Sequence, residues 1–84
     1  MSRAGAPIAD LIALYDTVSD QGLKDALVSV YARSGERTAT DKLIWIARNE
    51  TNINVRRRAL SALSQSDDPR AKDAFKDIIL KTDD

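Results

Sequence analysis

The side chains best equipped for chemistry in this chain of 84 residues are carboxylates and guanidiniums, because it contains no histidine and no cysteine. Without those two types the common general base, the thiolate nucleophile and the usual zinc set are all missing. Two carboxylate pairs remain to be weighed for acid–base work, Asp10 with Asp41 and Asp67 with Asp68. The second pair directly precedes Pro69, where acids favour the opening of a helix, and the first falls on faces expected to be solvated. Asp73 and Asp77 stand among Lys72, Lys76 and Lys81 at three- and four-residue spacing, which is ordinary pairing on a helix surface. Gly5, Gly22 and Gly35 are too far apart for a loop that cradles phosphate. The chain therefore reads as a non-enzyme, with no cofactor and no metal expected.

Arg56, Arg57 and Arg58 form the one dense positive run, and Arg48 and Lys24 could join it in the fold. Such a surface could meet a phosphate backbone. However, 13 Lys and Arg balance 13 Asp and Glu, so no global field draws in nucleic acid or an anionic membrane. Successive helical residues also point about 100° apart, so three adjacent arginines cannot all line one groove. Nucleic acid is not the expected partner. The wholly apolar run Leu43 to Ala47 is far below the roughly 20 residues of a membrane span, and no run is longer. Met1 to Ala6 has no apolar segment behind it and is read as a disordered or tag-derived arm rather than a signal peptide. The absence of cysteine suits the cytoplasm.

The elements that must position these groups follow a register of 32 residues. Leu11, Ile12, Leu14, Leu23, Leu27, Tyr31 and Ser34 recur as Leu43, Ile44, Ile46, Val55, Ala59, Leu63 and Ser66. Ala39, Asp41, Leu43 and Ile46 recur again as Ala71, Asp73, Phe75 and Ile78. A fixed period of this size is the signature of stacked units that bury their apolar faces against one another. Apolar spacing of three and four predicts five helices. They run from Pro7 to about Val18 with Leu11, Leu14 and Tyr15 facing inward, and from about Asp20 to Arg33 with Leu23, Leu27, Val30 and Tyr31. The third centres on Ala39, Leu43, Ile46 and Ala47, the fourth spans about Asn52 to Gln65 with Val55, Ala59, Ala62 and Leu63, and the last starts at Pro69 with Ala71, Phe75, Ile78 and Ile79. Ser19-Asp20 and Thr51-Asn52 offer side-chain oxygens to opening helices, and Pro69 has the fixed φ that suits a first turn. Short links between helices imply antiparallel hairpins.

Val55-Arg56-Arg57-Arg58-Ala59-Leu60, with Leu63, Gln65-Ser66 and Asp68-Pro69-Arg70-Ala71 behind it, resembles the short bacterial kind of HEAT repeat. Leu43-Ile44-Trp45-Ile46-Ala47-Arg48 resembles the first helix of such a unit. The resemblance implies an all-α, right-handed α-α superhelix of about five helices in two and a half hairpins, covering 7–84 as one domain with units of about 7–38, 39–70 and 71–84. It also implies a protein-binding scaffold. In that family the arginine of Val-Arg commonly pairs with an aspartate before the second helix, which ties units together. Arg56 holds that arginine position here, Lys24 its equivalent one unit earlier, and Asn52 and Asn54 stand where the acid is sought.

Trp45 is the residue that the framework does not explain. It falls opposite Ala39, Leu43, Ile46 and Ala47, and its register equivalents are Ala13 and Asp77. Leaving an indole in water forgoes on the order of 4 kcal/mol of burial. Aromatic anchors of this kind are over-represented at binding hot spots. The candidate interaction residues are Trp45 with Ile53, Arg57, Ile12 and Ile44, and Leu80 could extend the patch. The favoured reading is a non-catalytic module that binds a protein partner. The alternative is a truncated or engineered repeat piece that self-associates, as a homodimer for instance, through an open end or the Trp45 face. The N-terminal end, with Ile8, Leu11 and Ile12, is expected to lack a polar cap.

Overall fold

The computed structural model describes residues 7–82, so the N-terminal arm at 1–6 lies outside the described residues. Five helices follow one another: α1 (Ile8–Tyr15), α2 (Gln21–Ser34), α3 (Arg37–Asn49), α4 (Ile53–Gln65) and α5 (Pro69–Thr82). They form two layers, α1, α3 and α5 in one and α2 and α4 in the other, and each layer packs along itself as well as against its opposite. Stacked antiparallel hairpins of this kind make an α-α solenoid.

Local chemistry explains where the helices begin. The Asp20 side chain accepts a hydrogen bond from the Leu23 N–H at 3.0 Å, and Asn52 accepts from the N–H groups of Asn54 and Val55 at 3.0 and 3.1 Å. These are the free amides of an opening helix, as the sequence spacing predicts. Ahead of α3 and α5 a second device repeats in register. The Ser34 Oγ accepts from Glu36 N–H at 3.0 Å, and the Ser66 Oγ accepts from Asp68 N–H at 3.1 Å. Asp68 in turn accepts from Arg70 N–H at 2.9 Å, so it caps α5 directly before Pro69.

The ends differ from expectation. α1 stops at Tyr15 instead of running to Val18, because the N–H groups of Asp16, Thr17 and Val18 bond three residues back and the Thr17 hydroxyl donates to Leu14 O at 2.9 Å. Those tighter turns unwind the helix into the connection.

The core holds Tyr15, Leu27, Val28, Tyr31, Ala39, Leu43, Ile46, Ala47, Val55, Ala59, Leu63, Ala71 and Ile78. Most of the inward positions agree with the register, and the departures cluster at the two ends of the stack. Leu14 and Leu23 are 40% and 44% exposed, although their equivalents Ile46 and Val55 are buried. α3 and α4 each have an earlier helix of their own layer to pack on, whereas α1 and α2 have none among the described residues. Ile8, Leu11 and Ile12, at the end expected to lack a polar cap, are partly buried against the core, and the Tyr31 hydroxyl holds α1 by donating to Leu11 O at 2.7 Å. At the other end Phe75 is only half-buried and Ile79 is 44% exposed, with Ala74 taking an inward place the periodicity had not assigned.

Gly35 ends α2 with φ of 71°, the only left-handed residue among those described. A Cβ there would meet nothing within 4 Å, so its cost would come from the backbone alone. Gly35→Ala is expected to lower unfolding free energy by about 1 kcal/mol, read from urea denaturation. An unchanged midpoint would mean that the turn relaxes out of the left-handed region.

Candidate interaction surface

The buried side of α3 consists of Ala39, Thr40, Leu43, Ile46 and Ala47. Trp45 points the other way and is 47% exposed. Its ring is not loose. Lys42, three residues earlier on the same helix, places its Nζ 4.4 Å from the Trp45 ring centroid and 5.1 Å from that of Tyr15. The same ammonium lies 2.9 Å from Asp16 Oδ1, and the Lys42 side chain is only 10% exposed. Cation–π contact at a partly desolvated site contributes on the order of 1 kcal/mol. Lys42 thus covers one face of the indole. The flanks of this face are ionic: Arg48 lies 3.3 Å from Asp77, and Asp41 pairs with Arg70, both joining α3 to α5. Exposed pairs of this kind contribute little to stability, so they serve chiefly as a polar rim.

The other candidates do not gather around Trp45. Ile53, 54% exposed, opens α4 in the opposite layer, and Arg57 follows one turn later on the same exposed side. Ile12 and Ile44 are half-buried and packed against the core, which leaves them little free surface. The single patch expected from the sequence is therefore two separate features. The arginine run also disperses. Arg58 Nε lies 3.4 Å from Asp25 Oδ1 on α2, Arg57 faces out, and Arg56 turns towards α5. The carboxylate pairs come apart too, since Asp41 is engaged by Arg70 and Asp68 by the start of α5.

The residue that sequence reasoning missed is Glu50. It is only 9% exposed at the C-terminal cap of α3. The Tyr15 hydroxyl donates to its carboxylate, Lys24 Nζ lies 3.4 Å away, and the N–H of Asn52 donates at 3.1 Å. Arg56 holds the position whose arginine ties units together in the family, with Asn52 and Asn54 where the acid is sought, and it makes no ion pair among the described residues. Lys24 makes one instead, one unit earlier, with an acid that lies upstream of Asn52 and Asn54. The available signal was a break in register, because Glu50 stands where Val18 and Thr82 stand in the neighbouring copies.

Desolvation opposes the charge on Glu50, but the Tyr15 hydroxyl, the Asn52 N–H and Lys24 together hold its carboxyl below the usual range. Burial and the adjacent carboxylate push the Tyr15 phenol well up. Burial, with Asp16 nearby, pushes Tyr31 up to about 12.

This geometry agrees with comparison to known families, in which the model described as HEAT repeats matches residues 8–84. The chain belongs to the HEAT-repeat family. Comparison with curated proteins and with solved structures finds no significant match. HEAT repeats commonly mediate protein interactions. No helix among the described residues is long and apolar enough to cross a membrane.

The Glu50 network has a defined pH signature. Because the folded pKa of Glu50 is depressed, its contribution is complete above the unfolded value of about 4.3 and is lost as pH falls through the folded value. Tyr15 has the opposite sign: its contribution is complete below about pH 10 and is lost as pH rises through the raised folded value. Glu50→Gln is expected to flatten the acid limb of melting temperature against pH, measured by circular dichroism. Glu50→Ala, which strands Lys24 and the Tyr15 hydroxyl, is expected to cost about 2–3 kcal/mol at pH 7. An acid limb unchanged in Glu50→Gln would assign it to other carboxylates.

Proposed function

We propose that this HEAT-repeat module is a non-catalytic scaffold that holds a partner protein through the Trp45 face of α3. The observation that carries the reading is an indole 47% exposed, at a position where the other copies have Ala13 and Asp77. The solenoid does not need an aromatic there. Lys42 lies over the ring, and the ion pairs around it give a polar rim to an apolar centre. Ile53 and Arg57 would contribute only to a partner large enough to reach the other layer.

Self-association is the second reading, supported by Leu80 at 75% exposure and Ile53 at 54%. The two readings separate by mass. Under the scaffold reading, sedimentation equilibrium gives a monomer across concentration for both the parent and Trp45→Ala. Photo-crosslinking from position 45 then identifies the partner for titration in purified form. Trp45→Ala is expected to weaken that complex at least about thirtyfold, the loss typical of a hot spot near 2 kcal/mol, while melting temperature stays within a few degrees of the parent. Unchanged affinity of the purified partner for Trp45→Ala would overturn the proposal, and a parent mass that doubles in a Trp45-dependent way would replace it with self-association.

A further inference from the structure

The register of 32 residues makes the two complete hairpins comparable position by position, and one site is filled in the first and hollow in the second. In the first hairpin the Tyr15 ring is 3% exposed, its hydroxyl donates to Glu50, and Lys24 Nζ lies 3.4 Å from that carboxylate and 5.2 Å from the ring centroid. One register later the chain has Ala47 for Tyr15, Arg56 for Lys24 and Thr82 for Glu50. The cation is kept, while the ring and the acid are gone.

Ala47 and Arg56 line a cavity of about 260 Å³ together with Arg48, Asp77, Ile78 and Lys81. These six are the register equivalents of Tyr15, Asp16, Lys24, Trp45, Ile46 and Asn49, so the hollow is lined at the positions that Tyr15 and Lys24 hold one register earlier. Its floor is apolar, from Ala47 and Ile78, and among the described residues its rim carries Arg48, Arg56 and Lys81 against the carboxylate of Asp77. Arg48 and Lys81 already share Asp77, at 3.3 and 3.7 Å. Arg56 makes no ion pair among the described residues. The volume is below the roughly 300–1,000 Å³ of pockets for drug-sized ligands and suits one ring.

We propose that this cavity binds an aromatic ring with a carboxylate beside it, supplied by a segment of a partner protein that carries tyrosine or phenylalanine next to an acid. The ring takes the place that Tyr15 fills in the first hairpin. The carboxylate meets the Arg56 guanidinium as Glu50 meets Lys24, with the two-pronged geometry that arginine adds. The protein source of the ligand rests on the interaction reading above, whereas the chemistry of the cavity does not.

The test is an NMR titration of the whole chain, labelled with ¹⁵N, with 4-hydroxyphenylacetate, which carries both groups. Saturable shifts are expected at the amides of Ala47, Arg56, Ile78 and Lys81, with a dissociation constant on the order of a few millimolar. Acetate and p-cresol, each carrying one group, should bind at least about tenfold more weakly. Ala47→Tyr, which supplies the ring within the chain, and Ala47→Leu, which supplies only bulk, should each abolish the shifts. Arg56→Gln should weaken binding about tenfold or more. A peptide with Tyr next to Glu should bind about tenfold more tightly than the small molecule.

The proposal is overturned by the absence of saturable shifts at about 50 mM probe, by shifts that survive in a folded Ala47 variant, or by equal affinity for p-cresol. A peptide no tighter than the small molecule overturns the protein source, and an Ala47-dependent doubling of mass puts a second copy in the cavity instead. None of these outcomes touches Trp45, so loss of this site leaves the scaffold reading standing. Failure of the Trp45 face leaves the titration interpretable.

Discussion

The fold depends on keeping the charge of Glu50 while taking its carboxylate almost out of water. A buried ion is tolerated only when its lone pairs are met, and the groups that meet these come from different helices. Tyr15 ends α1, Lys24 lies in the first turn of α2, and Asn52 caps α4, while Glu50 itself closes α3. Hydrophobic burial is non-directional and would allow those helices to slide or rotate at small cost. One carboxylate with donors from three neighbouring segments leaves them far less freedom.

The same network reaches the surface. With its hydroxyl on Glu50, the Tyr15 ring presents itself to Lys24 and Lys42, at 5.2 and 5.1 Å from its centroid. Lys42, held also by Asp16, then lies over Trp45. The Tyr15 ring that meets Glu50 thus shares Lys42 with the exposed Trp45, so a chain of contacts runs from the packed first hairpin to the outer face. The second hairpin keeps the cation at Arg56 and has neither the ring nor the acid, so the two hairpins share a framework and differ in what they leave open.

Much of the architecture was legible in the chain. Helix caps at Asp20 and Asn52 and the Pro69 start are local events, determined by residues within a turn of one another. The exposure of Trp45 was legible as well, because it follows from helical periodicity alone. The burial of Leu14 and Leu23 was misjudged because periodicity says which side of a helix is apolar, but not whether a neighbour covers it. Ile12 and Ile44 were assigned to a surface patch for the converse reason: they lie at the edge of the inward face, and only the packed neighbours decide that they are used up there.

By itself the sequence determined that this is an all-α stack of HEAT repeats, where its helices start, and that an indole faces outward, since each of these is encoded by spacing within one helix or by one fixed period. Tertiary structure alone decided that Glu50 is the acid that joins the units, that Lys24 rather than Arg56 is its partner, and that Lys42 lies over Trp45. Those pairings join residues 26 or 35 positions apart, or depend on a side chain already held by another helix. No local pattern carries such information, because a charge finds its partner only once the helices that bear them have packed.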